Sequence, residues 1–330
     1  MGKNGFLEQI PAAAISGACG TDGIAVIINV TGHNNIFHAM EELHPQSAYK
    51  IYYTEPGIDQ LKEVMEQCHE SGLRSIVLLG NKRPDLESLE LEGSVALISA
   101  GSGSQEDKLL SSILGDSRIK GFAHIGYQTY RYDPELLQKT RGRSFEELRL
   151  GLIREDLTLA EPPIRNSEYI FTDINSIRVC DFPDSATQSP NGLYAEELCQ
   201  LGRYMGMSLS LKTLFVYGFP SDLKQESTGG QLVAEFLWHF AEGLVSNVNE
   251  DPANTDNEDF FLKKIVSMGQ DGQDLVFVTS RSSGRWWIEI PNIKKGDNLY
   301  VACSYSDYTT ACSGEIPLRW LYFYQKVNSD

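Results

Sequence analysis

Short runs of apolar, β-branched and aromatic residues recur along the chain, at 23–30, 49–53, 75–80, 94–100, 121–127, 169–175, 213–219 and 274–279, and most are continuous rather than alternating. A strand with no polar face has none to give to water, so each run predicts a strand buried on both sides. Helical patterns lie between several of them. After Pro56-Gly57, the residues Leu61, Val64, Met65 and Cys68 fall at i, i+3, i+4 and i+7, and Gly72 supplies a stop. Segment 105–114 predicts another helix. Segment 194–207 sets Leu198, Leu201 and Met205 on one side with Glu196 and Arg203 elsewhere. Segment 231–244 is apolar all round and predicts a helix packed on both sides. Strands joined by helices pair in parallel through right-handed crossovers, which predicts a three-layer α/β/α, doubly wound, mostly parallel sheet.

Such a sheet needs a large core, and 330 residues at 41% hydrophobic supply one. The formal net charge of -17 excludes capture of nucleic acid or anionic membrane by the whole surface, and no local basic patch overrides it. No segment approaches the roughly 18 unbroken apolar residues of a membrane helix. The start, Met1-Gly2-Lys3-Asn4-Gly5-Phe6, has neither a secretory apolar core nor the Ser/Thr of a myristoylation signal. The cysteines (Cys19, Cys68, Cys180, Cys199, Cys303, Cys312) form no Cys-x-x-Cys, so buried reduced thiols and a cytoplasmic location are expected. Segment 247–260 carries acids, Asn and Pro but no Lys or Arg and predicts an exposed acidic loop. It divides an α/β domain, 1–246, from a β-rich extension, 261–330, packed on the same domain. Within the extension, strands are expected at 274–279, 286–290 and 298–304, followed by the aromatic run 320–324.

Candidate chemistry is sparse. Gly101-Ser102-Gly103-Ser104 follows a strand and opens a helix, where backbone N–H groups can hold an anion, but no Lys-Ser/Thr follows and the dinucleotide spacing is missing. A plain βα turn and a phosphate or nucleotide site both fit it. His33 and His38, five apart, do not share a helical face as i, i+4 ligands do. There is no Gly-x-Ser-x-Gly elbow. Asp173, Asp181 and Asp184 cluster after the strand at 169–175, and carboxylates at the carboxyl ends of parallel strands suit a hard cation.

From Tyr169 to Phe240 the order of features resembles the ureohydrolase superfamily of arginase, agmatinase and formimidoylglutamase. A strand ending in Asp173-Ile174-Asn175 precedes Asp181-Phe182-Pro183, Pro190-Asn191-Gly192-Leu193, a helix with Glu196-Glu197, and Leu214-Phe215-Val216-Tyr217-Gly218-Phe219-Pro220. Gly121-Phe122-Ala123-His124-Ile125-Gly126-Tyr127, Arg149-Leu150-Gly151 and Glu161-Pro162-Pro163-Ile164-Arg165 are similar to a divergent formimidoylglutamase-like branch. So are Gly284-Arg285-Trp286-Trp287, Cys303-Ser304-Tyr305-Ser306-Asp307-Tyr308 and Glu315-Ile316-Pro317-Leu318-Arg319-Trp320. The resemblance spans 74–320. It implies an arginase-like fold, two Mn²⁺ ions on His and Asp ligands, and a metal-bridging water that attacks a guanidino or formimino carbon.

The sequence departs from that pattern at the ligands. Gly80-Asn81-Lys82-Arg83 stands where Gly-Gly-Asp-His is expected, and a guanidinium cannot ligate a metal. Ser99-Ala100-Gly101-Ser102-Gly103 replaces Asp-Ala-His-x-Asp, Asn175 replaces a carboxylate beside the retained Asp173, and Gly218 replaces a substrate-facing Glu. With about five of six ligands missing, two adjacent divalent ions lack the anionic charge that holds them. The vestigial site is therefore Arg83, Ser99, Gly101, Gly103, Asp173, Asn175 and Gly218, in which Arg83 either pairs with Asp173 or faces solvent. A catalytically degenerate protein that binds, as scaffold, interaction subunit or small-ligand sensor and without cofactor, is the reading this favours. A protein partner or self-association would use the acidic loop and the aromatic extension, unless Trp286, Trp287 and Trp320 merely cover the sheet. The alternative is a Mn²⁺-dependent hydrolase of a formimino or guanidino C–N bond with relocated ligands: Asp173, Asp181, Asp184 and His124.

Overall fold

Nine strands form one sheet in which every pairing is parallel: β1 (Leu7–Gln9), β2 (Gly23–Asn29), β3 (Lys50–Thr54), β4 (Ser75–Gly80), β5 (Gly93–Ile98), β6 (Ile119–Tyr127), β7 (Glu146–Arg149), β8 (Tyr169–Asp173) and β9 (Thr213–Tyr217). Their order across the sheet is β1-β3-β2-β4-β9-β8-β5-β6-β7. This computed structural model describes residues 5–15, 23–70, 75–83, 85–101, 104–142, 146–220, 223, 227–248, 250–253, 259–269 and 273–328. Gly72, Gly103, Cys19, Met1 to Asn4 and most of the 254–259 part of the acidic loop lie outside them.

Successive side chains along a strand point to opposite faces, and here each face meets its own helix layer. Ala25, Ile27, Val77, Leu79, Ala96, Ile98, Leu214 and Val216 enter one layer, beneath the helices Asn35–Glu41, Ala195–Gly206 and Thr228–Val245. Val26, Ile28, Ile76, Leu78, Val95, Leu97, Phe171 and Phe215 enter the other, beneath Leu61–Glu70, Ser104–Gly115 and Pro134–Gly142. The expected doubly wound α/β/α architecture is thus present, and two-sided burial explains the continuous apolar runs. Helices Ala195–Gly206 and Thr228–Val245 cross so closely that a Cβ on Gly206 would lie 2.0 Å from the Phe240 carbonyl oxygen.

A second, antiparallel sheet follows: β10 (Phe261–Val266), β11 (Leu275–Ser280), β12 (Trp286–Asn292) and β13 (Asp297–Cys303). The extension is not β-rich to its end. Helices Tyr305–Cys312 and Leu318–Asn328 close it, and the aromatic run lies on the second of them. Trp320 and Tyr324 stack at 4.6 Å, and Trp320 enters the core of this unit. Arg165, buried, places its guanidinium 4.4 Å from the Trp287 ring and donates to the Trp286 carbonyl. Arg319 reaches back to Glu146 of β7 at 2.9 Å, so the extension is fastened to the main sheet by charge as well as by the Arg165 contacts.

Strands β1, β7 and β10 were not expected, and they share a cause. Each is an edge strand, with sequences Leu-Glu-Gln, Glu-Glu-Leu-Arg and Phe-Leu-Lys-Lys-Ile-Val. An edge is not buried on both faces, so its sequence carries charge and loses the continuous apolar signature. Two further expectations need correcting. Glu250, within the presumed exposed loop, is buried and accepts from the hydroxyls of Ser280, Ser282 and Ser283. The five described cysteines are free, but Cys180 and Cys312 are exposed rather than buried. Among the described residues no helix is long and apolar enough to cross a membrane.

Candidate functional site

Ligands in open parallel sheets bind beyond the carboxyl ends of the strands, and the described residues among those singled out in the sequence lie there. Ser99 follows β5, Asp173 ends β8, Gly218 follows β9, and Arg83 lies three residues beyond β4. Asn175 sits in the single helical turn after β8 and uses its whole amide. Its Nδ2 donates to Asp173 Oδ1 at 3.0 Å and to the Gly218 carbonyl at 2.9 Å, while its Oδ1 accepts from Ser185 Oγ at 2.9 Å and Ala186 N at 3.0 Å. The Asn175 backbone N–H also donates to Asp173 Oδ1, at 2.9 Å. Gly218 has φ +87, and a Cβ there would stand 2.4 Å from Asn175 Nδ2 and 2.6 Å from Asp173 Oδ1. The space a longer residue would use after β9 is therefore occupied by the Asn175–Asp173 contact.

A second carboxylate meets this one, and sequence reasoning missed it. Glu106, from the first turn of the helix Ser104–Gly115, is buried and accepts from Ser99 Oγ at 2.9 Å, with Tyr217 Oη at 3.4 Å. Burial, reinforced by the charge of Asp173, raises the Glu106 carboxyl above its ordinary value. Ser99, Arg83 and Tyr217 oppose the shift by favouring the charged form. Burial raises Asp173 as well, and there the opposing groups are the N–H donors of Asn175. Arg83 thus acts on Glu106, while Asp173 is steadied by Asn175. The only local signal for Glu106 was an acid in the first turn of a helix, which the helix dipole accounts for without any site.

The tier behind is aromatic. His124 on β6 stacks on Tyr127 at 4.5 Å and lies edge-on to Tyr132 at 4.9 Å, with Nε2 3.1 Å from Tyr132 Oη. Burial pushes the His124 imidazole down to about 3, so it stays neutral. The Tyr132 ring also closes the described part of the glycine turn: Gly101 has φ +85, and a Cβ there would lie 2.5 Å from the ring.

The alternative ligand set is not assembled. Asp181 pairs with Arg178 at 2.9 Å and accepts from Ala195 N at 3.0 Å, Asp184 lies against Gly229, and His124 is enclosed by rings. Among the described residues no three His, Cys, Asp or Glu side chains converge closely enough to hold a metal ion. The donor set at the strand ends does not fit a pair of Mn²⁺ ions: amide, hydroxyl and guanidinium groups surround two carboxyls that are already hydrogen-bonded. His33 is also committed, with Nε2 2.7 Å from the Pro220 carbonyl. A cleft of about 470 Å³ opens past the ends of β6 and β7, between Gln128, Tyr130, Arg149, Glu155 and Asn191, and Arg83, Ser99, Gly101, Asp173, Asn175 and Gly218 do not line it.

No protein-family model matches the chain, and no curated protein matches it in sequence. Solved structures do match its fold. An oxidized Trypanosoma cruzi formiminoglutamase with Mn²⁺ superposes with a TM-score of 0.57 at 14% identity, covering 71% of this chain and 98% of that one. The formimidoylglutamase from Bacillus subtilis gives 0.55 at 14% identity, covering 69% and 88%. Arginase from Bacillus cereus gives 0.50 at 13%, covering 67% and 98%. The chain therefore has the arginase-like α/β fold that these formiminoglutamases and the arginase share.

Proposed function

We propose that this protein is a catalytically degenerate member of the arginase-like fold that acts by binding a protein partner, without a metal cofactor. The observation that carries the reading is the Asn175 amide, which spans Asp173 and the Gly218 carbonyl at 3.0 and 2.9 Å where the formiminoglutamase resemblance calls for ligating and substrate-facing carboxylates. Hydrogen bonds from Asn175 and Ser99 and the charge of Arg83 offset buried negative charge there, a role metal ions would otherwise serve. Ser99, Asp173 and Tyr217 are nearly inaccessible, so no nucleophile or general base among them faces an incoming substrate. We take its compartment to be the cytoplasm, a reading that the free cysteines support.

The test is metal analysis of the full chain purified in Mn²⁺ and passed through gel filtration, alongside assays with formiminoglutamate, arginine and agmatine. Metal far below one ion per chain, with no turnover, is expected. Two ions per chain with hydrolysis would overturn the proposal in favour of a C–N hydrolase with relocated ligands.

A further inference from the structure

The two edges of the antiparallel sheet are treated differently. On β13 the Asn166 side chain imitates a neighbouring strand, donating to the Ala302 carbonyl at 3.2 Å and accepting from Ala302 N at 3.1 Å, and Arg319 donates to the same carbonyl at 3.1 Å. Among the described residues the only strand partner of β10 is β11. Arg281 N donates to the Phe260 carbonyl at 2.9 Å, and with the Phe261–Ser280 register this fixes which residues face β11. Antiparallel bonds alternate along a strand, so the backbone N–H and C=O groups of Phe261, Lys263 and Ile265 point away from the sheet.

Several side chains of this edge are open as well, whereas Phe261, Lys264 and Val266 are half-buried, with Lys264 Nζ 5.0 Å from the Trp286 and Tyr308 rings. Phe260 is 58% exposed, Leu262 40% and Ile265 68%, and Lys263 is exposed between them. Lysine on an edge discourages pairing between copies. Here the central antiparallel self-register sets Lys263 opposite its own counterpart, a like-charge pair that disfavours it. Protection alone does not account for apolar residues left bare on both sides of the lysines. From Phe260 to Gln270 the chain has two lysines and no acid, in a protein of net charge -17.

We infer that β10 is a docking edge for an extended acidic segment of a partner protein, which adds as a fifth strand with two adjacent acids opposite Lys263 and Lys264 and apolar residues on either side. The inference deepens the binding reading above and rests on it. Main-chain bonds to Phe261, Lys263 and Ile265 supply affinity that does not depend on sequence, and the apolar-acid-acid-apolar pattern supplies selection. That pattern reads the same in both chain directions, so the edge accepts a parallel or an antiparallel strand.

The full chain is titrated, by fluorescence anisotropy, into a labelled Ser-Val-Val-Glu-Glu-Ile-Val-Ser peptide blocked at both ends. Two further peptides replace the acids with lysines or carry N-methyl groups at alternate residues. Saturable binding of the acidic peptide is expected, at least about tenfold weaker for the lysine peptide and abolished by N-methylation. Lys263→Glu, on an exposed side chain, should weaken the acidic peptide and strengthen the lysine one, with an unchanged circular dichroism spectrum. Absence of binding, equal binding of all three peptides, or a dimer by light scattering that Lys263→Glu does not alter would overturn the inference. Metal content is read separately, so failure here leaves the degenerate centre to be judged on its own assay.

Discussion

The side-chain amide of Asn175 donates to Asp173 Oδ1 at 3.0 Å and in the same stroke to the backbone beyond β9. One residue thereby holds the ends of two adjacent parallel strands at the position where this fold gathers ligands. Asn175→Asp replaces that donor with a carboxylate beside the buried Asp173 and strands the Gly218 carbonyl. A loss of about 2–4 kcal/mol at pH 7.5 is expected, read from urea unfolding. Adding Mn²⁺ should not recover it, and a variant as stable as the parent would show that the amide is dispensable.

Glu106 makes stability depend on pH. Its carboxyl is raised to about 7 in the folded chain, by burial first and by Asp173 second, against an unfolded value near 4.3. Between those values the folded state holds more of the proton than the unfolded state does. Stability therefore falls as pH rises through this window. Glu106→Gln removes the titration and keeps acceptor and donor groups for Ser99 and Tyr217. The variant should gain about 2 kcal/mol over the parent at pH 8 and match it near pH 4.5. An equal gain at both pH values would assign the effect to packing.

Arg319 is one of the charges that fasten the extension. It lies 2.9 Å from Glu146 and 3.5 Å from Asp307, and burial raises the Glu146 carboxyl above its ordinary value, with the Arg319 charge opposing the shift. Arg319→Met keeps the apolar stem but leaves Glu146 unpaired, at a cost of about 3–5 kcal/mol. The near-ultraviolet circular dichroism of the Trp320–Tyr324 stack should change with it, whereas Glu146→Gln in the same background should restore part of the loss. A silent single variant would sink this account.

Much of the main sheet was legible because two-sided burial writes itself into sequence as unbroken apolar runs, and β2 to β6, β8 and β9 carry that mark. The edges β1, β7 and β10 were not legible, since a strand with one free side tolerates charge. The site divided in the same way. Asp173, Asn175 and Gly218 were found because motif order identifies positions along the chain. Glu106 was missed because its importance comes from β5, β8 and β9 delivering Ser99, Asp173 and Tyr217 around it.

The sequence by itself determined a parallel α/β sheet and the identity of the groups at its strand ends, since periodicity and residue type are properties of the chain. Tertiary structure alone decided what those groups do to one another. Whether an amide next to a carboxylate is a weak metal ligand or a clasp between strands depends on a carbonyl 43 residues away. Long-range proximity of that kind has no signature in local order. The same holds for the excess of acids: the sequence counts them, and only the fold shows Glu106 and Asp173 buried close enough that the charge of Asp173 raises the Glu106 carboxyl, and two lysines on an edge strand with a single strand partner among the described residues.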